Sequence, residues 1–559
     1  MTRLKRTYQY LVLLLISGII FSCGVKKSQN NEPNISSYSI SDDSRIEIND
    51  TLIFKGNNSL RKNQYGQWEL IAEGNPLDLG NSIGVLSQEL MKKQQEIFFS
   101  KVEEIVPSKF KQYLLRKFLA WYNREIYLHI KEEYKVEIYG LSRYSTDKYD
   151  YIANKYLREL YLHSAHDIGH ALQDLALVGC SSFAVWGNNT IDGDLLIARN
   201  FDFYAGDAFA EEKIISFIQP EKGYKFMSVS WAGMIGVMSG MNEKGLTVTI
   251  NAGKSDVPLI ARTPISLVTR EIIQYAATIE EAIEIARKKE VFVSESILIG
   301  SAKDNKAVII EISPENFGVY EAENSSKLIC SNHFQSEVYK ADKKNLKHII
   351  ESHSKYRYDR MEELLKETVK ITPETAVAIL RNKEGLKNKK IGYGNEKALN
   401  QLLAHHGIVF QPKKRMVWVS AQPYQMGEFV AFQLDSVFAK SNQKIQTVSL
   451  PQYAIAKDSF INTLEYRNYE EFRIEKRKIQ QNIDKRITYN TNDIDRFISL
   501  NPDSWEVYYF VGKYYYENKY YKAAINKFKK ALTKEITTVP DRKNIERYIK
   551  KINRKLNDS

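Results

Sequence analysis

At 559 residues the chain exceeds one ordinary core, and at roughly 100–200 residues per domain it should hold about three. A hydrophobic content of 43% with 26% charged residues is that of a folded globular protein and excludes the disordered and fibrous classes. The net charge of +12 is modest, and its lysines and arginines are spread along the chain, so a basic nucleic-acid stripe with interleaved aromatics is excluded outside the C-terminal tail.

The chain opens with an address. Arg3, Lys5 and Arg6 precede an apolar run from Tyr10 to Phe21, too short to span a bilayer comfortably, so residues 1–22 read as a signal peptide. The run closes Ile20-Phe21-Ser22-Cys23-Gly24, which resembles a bacterial lipobox. That resemblance implies cleavage before Cys23, acylation of its thiol and amine, and stable anchoring to a membrane of the cell envelope, periplasmic or outer-membrane facing. Residues 26–46 are polar with few large apolar side chains, as a flexible tether requires. Residues 23–60 are therefore expected to be anchor and tether.

Residues 61–179 are predicted to form a helical segment. Leu114, Leu119, Trp121 and Tyr122 alternate with charges, as do Tyr156, Leu157, Leu160 and Tyr161. His163, His166 and His170 flank Asp167 at helical spacing, which could present metal ligands on one face. No carboxylate completes an H-E-x-x-H pattern and Gly169 weakens the helix, so no metal site is assigned. Short β-rich runs then begin at Ser182–Trp186, Leu195–Phe203, Lys225–Trp231 and Leu246–Asn251. A helix is expected after Thr263 as cap and Pro264 in its first turn, with Ile272, Ala276, Ala282 and Ile285 as its apolar positions. Strands return at Ser296–Ser301, Ala307–Ile312 and Leu328–Asn332. A capped helix begins at Thr372-Pro373-Glu374, and Met416–Phe438 reads as a hairpin. Gly187 to Gly193 is a hairpin turn and not a phosphate cradle. Two groups of strands with helices between them suggest layered α+β packing over residues 180–445.

Residues 446–559 shift to Lys, Arg, Tyr, Glu and Asn on helical spacing. Within about 505–538, Tyr508, Val511, Gly512, Tyr515, Ala524, Phe528 and Ala531 resemble a tetratricopeptide repeat in order and spacing. One repeat rarely stands alone, so it should lean on neighbouring helices, either docking a protein partner or only closing the C-terminus.

Three cysteines remain to be explained. Cys23 belongs to the anchor. Cys330, in an apolar strand-like run, reads as a buried inert thiol. Cys180 follows Gly179 at a helix-to-strand junction, where a residue without Cβ would permit a strained, open backbone. Downstream come Ala198-Arg199-Asn200-Phe201-Asp202, Asn242-Glu243-Lys244-Gly245-Leu246, Asn332-His333-Phe334 and Ser354-Lys355-Tyr356-Arg357. With Gly179-Cys180-Ser181-Ser182, this ordered set resembles the peptidase C45, acyl-CoA:6-aminopenicillanate acyltransferase and choloylglycine-hydrolase group of N-terminal-nucleophile hydrolases, over about residues 164–438. Ala198 in place of glycine and Ser181 in place of threonine depart mildly from the pattern.

The resemblance implies a four-layer αββα sandwich, self-cleavage between Gly179 and Cys180, and attack by Cys180 on the C–N bond of an N-acyl amide through an acyl-thioester, with no cofactor. It implies that Arg199 favours thiolate, Asp202 holds the new ammonium, Asn332 and a donor near Asn251 stabilise the oxyanion, and Arg357 anchors the network with Arg360 as its rival. The chemistry is self-consistent. A thiol near pKa 8.5 and an α-amine near 7.7–8.0 belong to one residue once the bond is cut, so the amine serves as base. The contrasting reading is a non-catalytic envelope lipoprotein that binds a partner through its tail.

Overall fold

The computed structural model describes residues 24–171, 179–204, 206–254, 258, 260–323, 325–439, 447–485 and 488–557. Cys23 and the apolar run before it lie outside them, as do the side chains of His166 and His170. Among the described residues no helix is long and apolar enough to cross a membrane.

Among the described residues, seventeen strands form two sheets of a mixed α/β body. In chain order they are β1 (Arg45–Asn49), β2 (Leu52–Lys55), β3 (Asn58–Lys62), β4 (Trp68–Gly74), β5 (Ser181–Val185), β6 (Leu196–Phe201), β7 (Ile214–Pro220), β8 (Phe226–Ser230), β9 (Ser239–Asn242), β10 (Leu246–Ala252), β11 (Glu295–Ser301), β12 (Lys306–Ile312), β13 (Phe317–Tyr320), β14 (Lys327–Cys330), β15 (His406–Gln411), β16 (Met416–Ser420) and β17 (Phe429–Gln433). The larger sheet runs β1-β2-β3-β4-β7-β8-β9-β10-β11-β12-β13 and the smaller β14-β5-β6-β15-β16-β17. Residues 45–74, whose composition suggested tether and helix, are thus four strands of the larger sheet. Their apolar alternation is short and interrupted by charges, but Leu60, Trp68, Leu70 and Ala72 are buried, and β4 pairs parallel with β7, Trp68 opposite Ile214.

Helices α1 (Pro76–Ile105), α2 (Lys109–Tyr122), α3 (Glu132–Ser142), α4 (Lys155–Ala171), α5 (Ile265–Tyr275) and α6 (Ile279–Arg287) share a core with the larger sheet, including Leu86, Ile138, Leu160, Val268 and Ile299. A second core holds side chains of both sheets, among them Ile197, Phe217, Val229, Leu298 and Phe410. A third joins the smaller sheet to α8 (Ser354–Glu367) and α9 (Pro373–Leu380), which follow α7 (Lys343–Glu351). Thr372 caps α9 as expected, in a capping box with Thr375. The helix expected after Thr263 is two, α5 and α6, and Thr263 caps neither. Its hydroxyl donates to the His129 carbonyl at 3.0 Å, while the Ile265 N–H donates at 2.7 Å to Asp167, a carboxylate on α4. That cap comes from almost a hundred residues upstream, where local reading cannot see it.

After α10 (Leu434–Ala439) the chain continues into α11 (Leu464–Lys485), α12 (Thr491–Leu500), α13 (Trp505–Glu517), α14 (Tyr521–Leu532) and α15 (Val539–Asn557). This helical tail shares one core with Leu402, Tyr424 and Met426 of the preceding body. The approach is close: Gly392 sits at φ +83°, and a Cβ there would lie 2.5 Å from the Ser504 backbone.

Candidate active site

The register of β5 and β6 builds the site. Ser181 lies opposite Asn200 and Ser182 opposite Arg199. Because side chains alternate across a strand, Ser182 and Arg199 share one face, and continuing the alternation one step back puts Cys180 on that face too. Arg199 Nη2 lies 3.8 Å from Cys180 Sγ. The same guanidinium is held by the Met238 carbonyl at 2.7 Å, by the Ile250 carbonyl and by Ser239 Oγ. Ser182 Oγ donates at 3.0 Å to Asn251 Oδ1. Ser181 and Asn200 point the other way, toward α8 and α9.

Cys180 is fully buried. Burial pushes its thiol up to about 11, with Arg199 pulling the other way. Asp202, just beyond the end of β6, is also fully buried, and burial pushes its carboxyl up to about 8 against the pull of Arg357 and Arg199. Among the described residues neither of its oxygens has a hydrogen-bond partner. A buried carboxylate without a hydrogen-bond partner is costly, so burial keeps this carboxyl protonated, and a new cation beside it would favour the ionised form.

The Ser354-X-X-Arg357 spacing places two groups one turn apart on α8, and both hold Asn332. Ser354 Oγ accepts from the Asn332 backbone N–H at 2.8 Å, and Arg357 Nη2 donates to Asn332 Oδ1 at 2.6 Å. Arg357 Nη1 also reaches the Cys180 carbonyl and Ser181 Oγ. Its rival Arg360 is elsewhere, spent on Asn382, Asn388 and Glu363. Asn332 Nδ2 donates to the Ala252 carbonyl at 2.9 Å. Asn251 Nδ2 donates to the Cys330 and Ser331 carbonyls at 3.0 and 3.2 Å. The other five residues expected at the site are therefore brought together around Cys180, but the Asn251 amide spends both hydrogens tying β10 to the end of β14 and offers none to an oxyanion.

Sequence reading gave no role to several further participants. His353 Nδ1 accepts from Arg357 Nε at 3.2 Å, and its other nitrogen lies 3.5 Å from Glu396. Burial and Arg357 drive His353 well below its usual value. Burial pushes Glu396 up to about 7. His405 and His406, fully buried, meet through their Nδ1 atoms at 2.9 Å, and His406 Nε2 reaches Ser239 Oγ at 2.9 Å. They therefore extend the polar chain behind Arg199. The His-His pair before a strand was the available signal, but it carries no role without the register. His163 is a satisfied core histidine: Nδ1 bonds the Glu159 carbonyl at 2.7 Å and Nε2 accepts from the Ile235 N–H at 3.1 Å. Among the described residues no cluster of His, Cys, Asp or Glu is arranged to hold a metal. Cys330 is buried in β14, and burial raises its thiol well above the usual value.

A cavity of about 1610 Å³ lies between the body and the tail. It is lined by His353, Glu396 and Gln401 from the body and by Tyr469, Arg473 and Trp505 from α11 and α13. None of Cys180, Arg199, Asp202, Asn251, Asn332 and Arg357 lines it; His353, Glu396 and Gln401 are where the cavity meets the residues around the site.

Residues 188–423 match the family described as acyl-coenzyme A:6-aminopenicillanic acid acyl-transferase. An uncharacterized protein of Archaeoglobus fulgidus is 24% identical over 274 residues, 45% of this chain and 45% of its own length. Protein dcd1B of Dictyostelium discoideum is 24% identical over 157 residues, 28% of this chain and 31% of its own. The chain thus spans less than half the length of the curated relatives it matches. Among solved structures, a Caenorhabditis elegans N-acylethanolamine-hydrolyzing acid amidase ortholog aligns with TM-score 0.31 and 17% identity, over 42% of this chain and 93% of that one. A mutant conjugated bile acid hydrolase from Clostridium perfringens aligns with TM-score 0.32 and 15% identity, over 48% of this chain and 98% of that one. The matched segment, less than half of the chain, holds Arg199, Asp202, Asn251, Asn332 and Arg357 and begins after Cys180.

Proposed function

We propose that this chain cuts its own Gly179–Cys180 bond and then uses Cys180 to attack the C–N bond of an N-acyl amide. The observation that carries the reading is the buried Asp202 carboxyl beside Cys180, which has no hydrogen-bond partner among the described residues. Cleavage turns the Cys180 amide nitrogen into an α-amine, whose protonated form adds a cation and a hydrogen-bond donor beside Asp202. The two groups then stabilise each other. In the mature site the free amine takes the thiol proton, the thiolate attacks the amide carbonyl, and the departing amine receives that proton. Water or a second amine resolves the acyl-thioester. Arg199, 3.8 Å from Sγ, favours the thiolate throughout. The three cores, ordered helices–sheet, sheet–sheet and sheet–helices, support reading the body as a four-layer αββα sandwich.

Of the tail's tetratricopeptide-like hairpin, α13 lines the cavity through Trp505, Tyr509 and Phe510, so in this reading it selects substrate as well as closing the C-terminus. Ser22-Cys23 after the apolar run supports export, acylation and anchoring in the bacterial envelope; labelled fatty acid should enter the wild type and not Cys23→Ser. The deciding experiment for the enzyme is intact-mass analysis together with a screen of labelled N-acyl amides. Wild type should appear as two fragments meeting at residue 180 and release free acid or exchange its amine. Cys180→Ala should remain whole and inert. An intact, inactive wild type overturns the proposal.

A further inference from the structure

The carbonyl that self-cleavage must attack already has a donor. Gln401 Nε2 donates to the Gly179 oxygen at 2.8 Å, from a side chain with 2% exposure. The same contact explains the glycine. Its φ lies outside the left-handed region, so conformational strain is not the reason for it. A Cβ on residue 179 would instead lie 2.5 Å from Gln401 Nε2 and 2.8 Å from Oε1. What glycine supplies here is room for an amide against its carbonyl.

The loop carrying Gln401 is fixed from both sides. Asn200 Nδ2 donates to the Leu380 and Leu399 carbonyls at 2.8 and 2.9 Å. The Asn400 N–H donates to the Asn382 carbonyl at 2.8 Å. Leu402 is held at φ +55° with its N–H on Asn400 Oδ1 at 3.0 Å, and its side chain is buried in the tail's core. The Arg199-Asn200-X-Asp202 motif thus divides its work: Arg199 and Asp202 face the nucleophile, and Asn200 secures the loop that faces the scissile carbonyl.

We propose that Gln401 is the oxyanion donor of self-cleavage, a role that rests on the processing reading above. Cys180 Sγ bonds to the Gly179 carbonyl carbon as the C–N bond to Cys180 breaks, and the thiol proton ends on the departing nitrogen. Water then hydrolyses the thioester to a Gly179 carboxylate and the free thiol. Negative charge gathers on the Gly179 oxygen during both additions, where a preplaced buried N–H is most effective. Asn332 and Asn251 give the amide hydrogens described above to Ala252, Cys330 and Ser331 and not to Gly179, so neither takes the place of Gln401 at this carbonyl.

The test follows precursor cleavage by intact mass during cell-free synthesis of the full chain. Gln401→Glu, with the same shape but an acceptor in place of the donor, and Gln401→Ala should slow cleavage by about 10²–10³-fold. Gln401→Asn, one methylene short, should fall between. Their melting temperatures, measured in the Cys180→Ala background, should stay near that parent; if one variant fails to fold, the others decide. Gly179→Ala should also cleave slowly, and Gly179→Ala with Gln401→Ala should remain slow, because the clash is gone but so is the donor. A pure packing role predicts rescue in that double variant, and rescue overturns the proposal. So does wild-type speed in a folded Gln401→Glu or Gln401→Ala. If wild type itself never cleaves, the processing reading fails first, and that outcome is distinct from a cleaving wild type with indifferent Gln401 variants.

Discussion

Arg357 and Asn332 are locked together, Nη2 donating to Oδ1 at 2.6 Å, while the second terminal nitrogen of the same guanidinium reaches the Cys180 carbonyl. One fully buried cation therefore fixes the nucleophile's backbone and the neighbouring amide in a single fork of bonds. A lysine keeps the charge but not the fork.

Arg357→Lys should accordingly fold but misplace both partners, and a misplacement of about 1 Å costs on the order of 10² in rate. Cleavage at residue 180 and amide turnover should both fall by about that factor. Arg360→Lys should leave both near wild type, since its partners Asn382, Asn388 and Glu363 lie outside the Cys180 cluster. Gel densitometry and steady-state rates on the two variants check this.

Cleavage should not release the N-terminal piece. β4 pairs in parallel with β7 across seven residues. Glu137 on α3 makes a bidentate ion pair with Arg270 on α5, with both side chains buried, and Asp167 caps α5. The two fragments should co-elute in size-exclusion chromatography without denaturant and separate only in it. Elution of the residue 180–559 piece alone under native conditions would contradict this packing.

Asp202 sets an expected pH dependence. Its carboxyl, ordinarily at 3.8, is pushed up to about 8 by burial in the uncleaved chain. The folded precursor then keeps a proton that the unfolded chain releases. Asp202 opposes folding least below about pH 4, and stability falls as pH rises toward about 8. In the Cys180→Ala precursor, Asp202→Asn should flatten the loss of melting temperature over that window. Glu159 and Glu396, both pushed up to about 7, add slope of the same sign, so a residual slope should persist. In the cleaved protein the Cys180 ammonium favours the carboxylate, and the Asp202 component should shrink.

What the sequence disclosed follows from how far apart the cooperating residues lie. Ser181 and Asn200 are strand neighbours, and Ser354 and Arg357 are one helical turn apart, so short motifs carry both pairings. Gln401 meets Gly179 across 222 positions, and Asp167 caps α5 across 98. No local pattern marks either contact. The strands of residues 45–74 were hidden for another reason: β1 is mostly exposed, and β2 to β4 mix buried charges such as Lys55 and Glu69 with apolar residues, which blurs the two-residue period. The glycine before Cys180 drew attention for the wrong physical reason, backbone freedom, when its effect is steric.

The tail should be inseparable from the body. Leu402, Tyr424 and Met426 are buried against tail helices, and each apolar side chain re-exposed costs about 1.5–3 kcal/mol. Lys389 and Lys397 both pair with Glu535, at 2.8 and 2.6 Å. A chain ending before residue 446 should melt lower or aggregate. Because Leu402 follows Gln401, it should also cleave more slowly. Unchanged melting and cleavage would make the tail an independent module.

Asn332 offers the sharpest separation of chemistry from structure. Its amide carries two hydrogens; the Ala252 carbonyl takes one at 2.9 Å, leaving the other for an oxyanion at the substrate carbonyl. Asn332→Ala should lower kcat by about 10²–10³ with KM within a few-fold, the signature of an interaction made chiefly in the transition state. Some stability should also be lost, since Arg357 Nη2 and the Ala252 carbonyl lose a partner inside the protein, at about 1–3 kcal/mol for an unsatisfied group. Asn332→Asp distinguishes the roles further. It still accepts from Arg357 but sets a carboxylate against the Ala252 carbonyl and brings no amide hydrogen to the oxyanion. It should therefore be at least as slow as Asn332→Ala. Melting curves and kinetics on the same processed preparations separate the two effects. A folded, cleaved Asn332→Ala protein with normal kcat would remove this side chain from the chemistry and leave it only the task of holding Arg357.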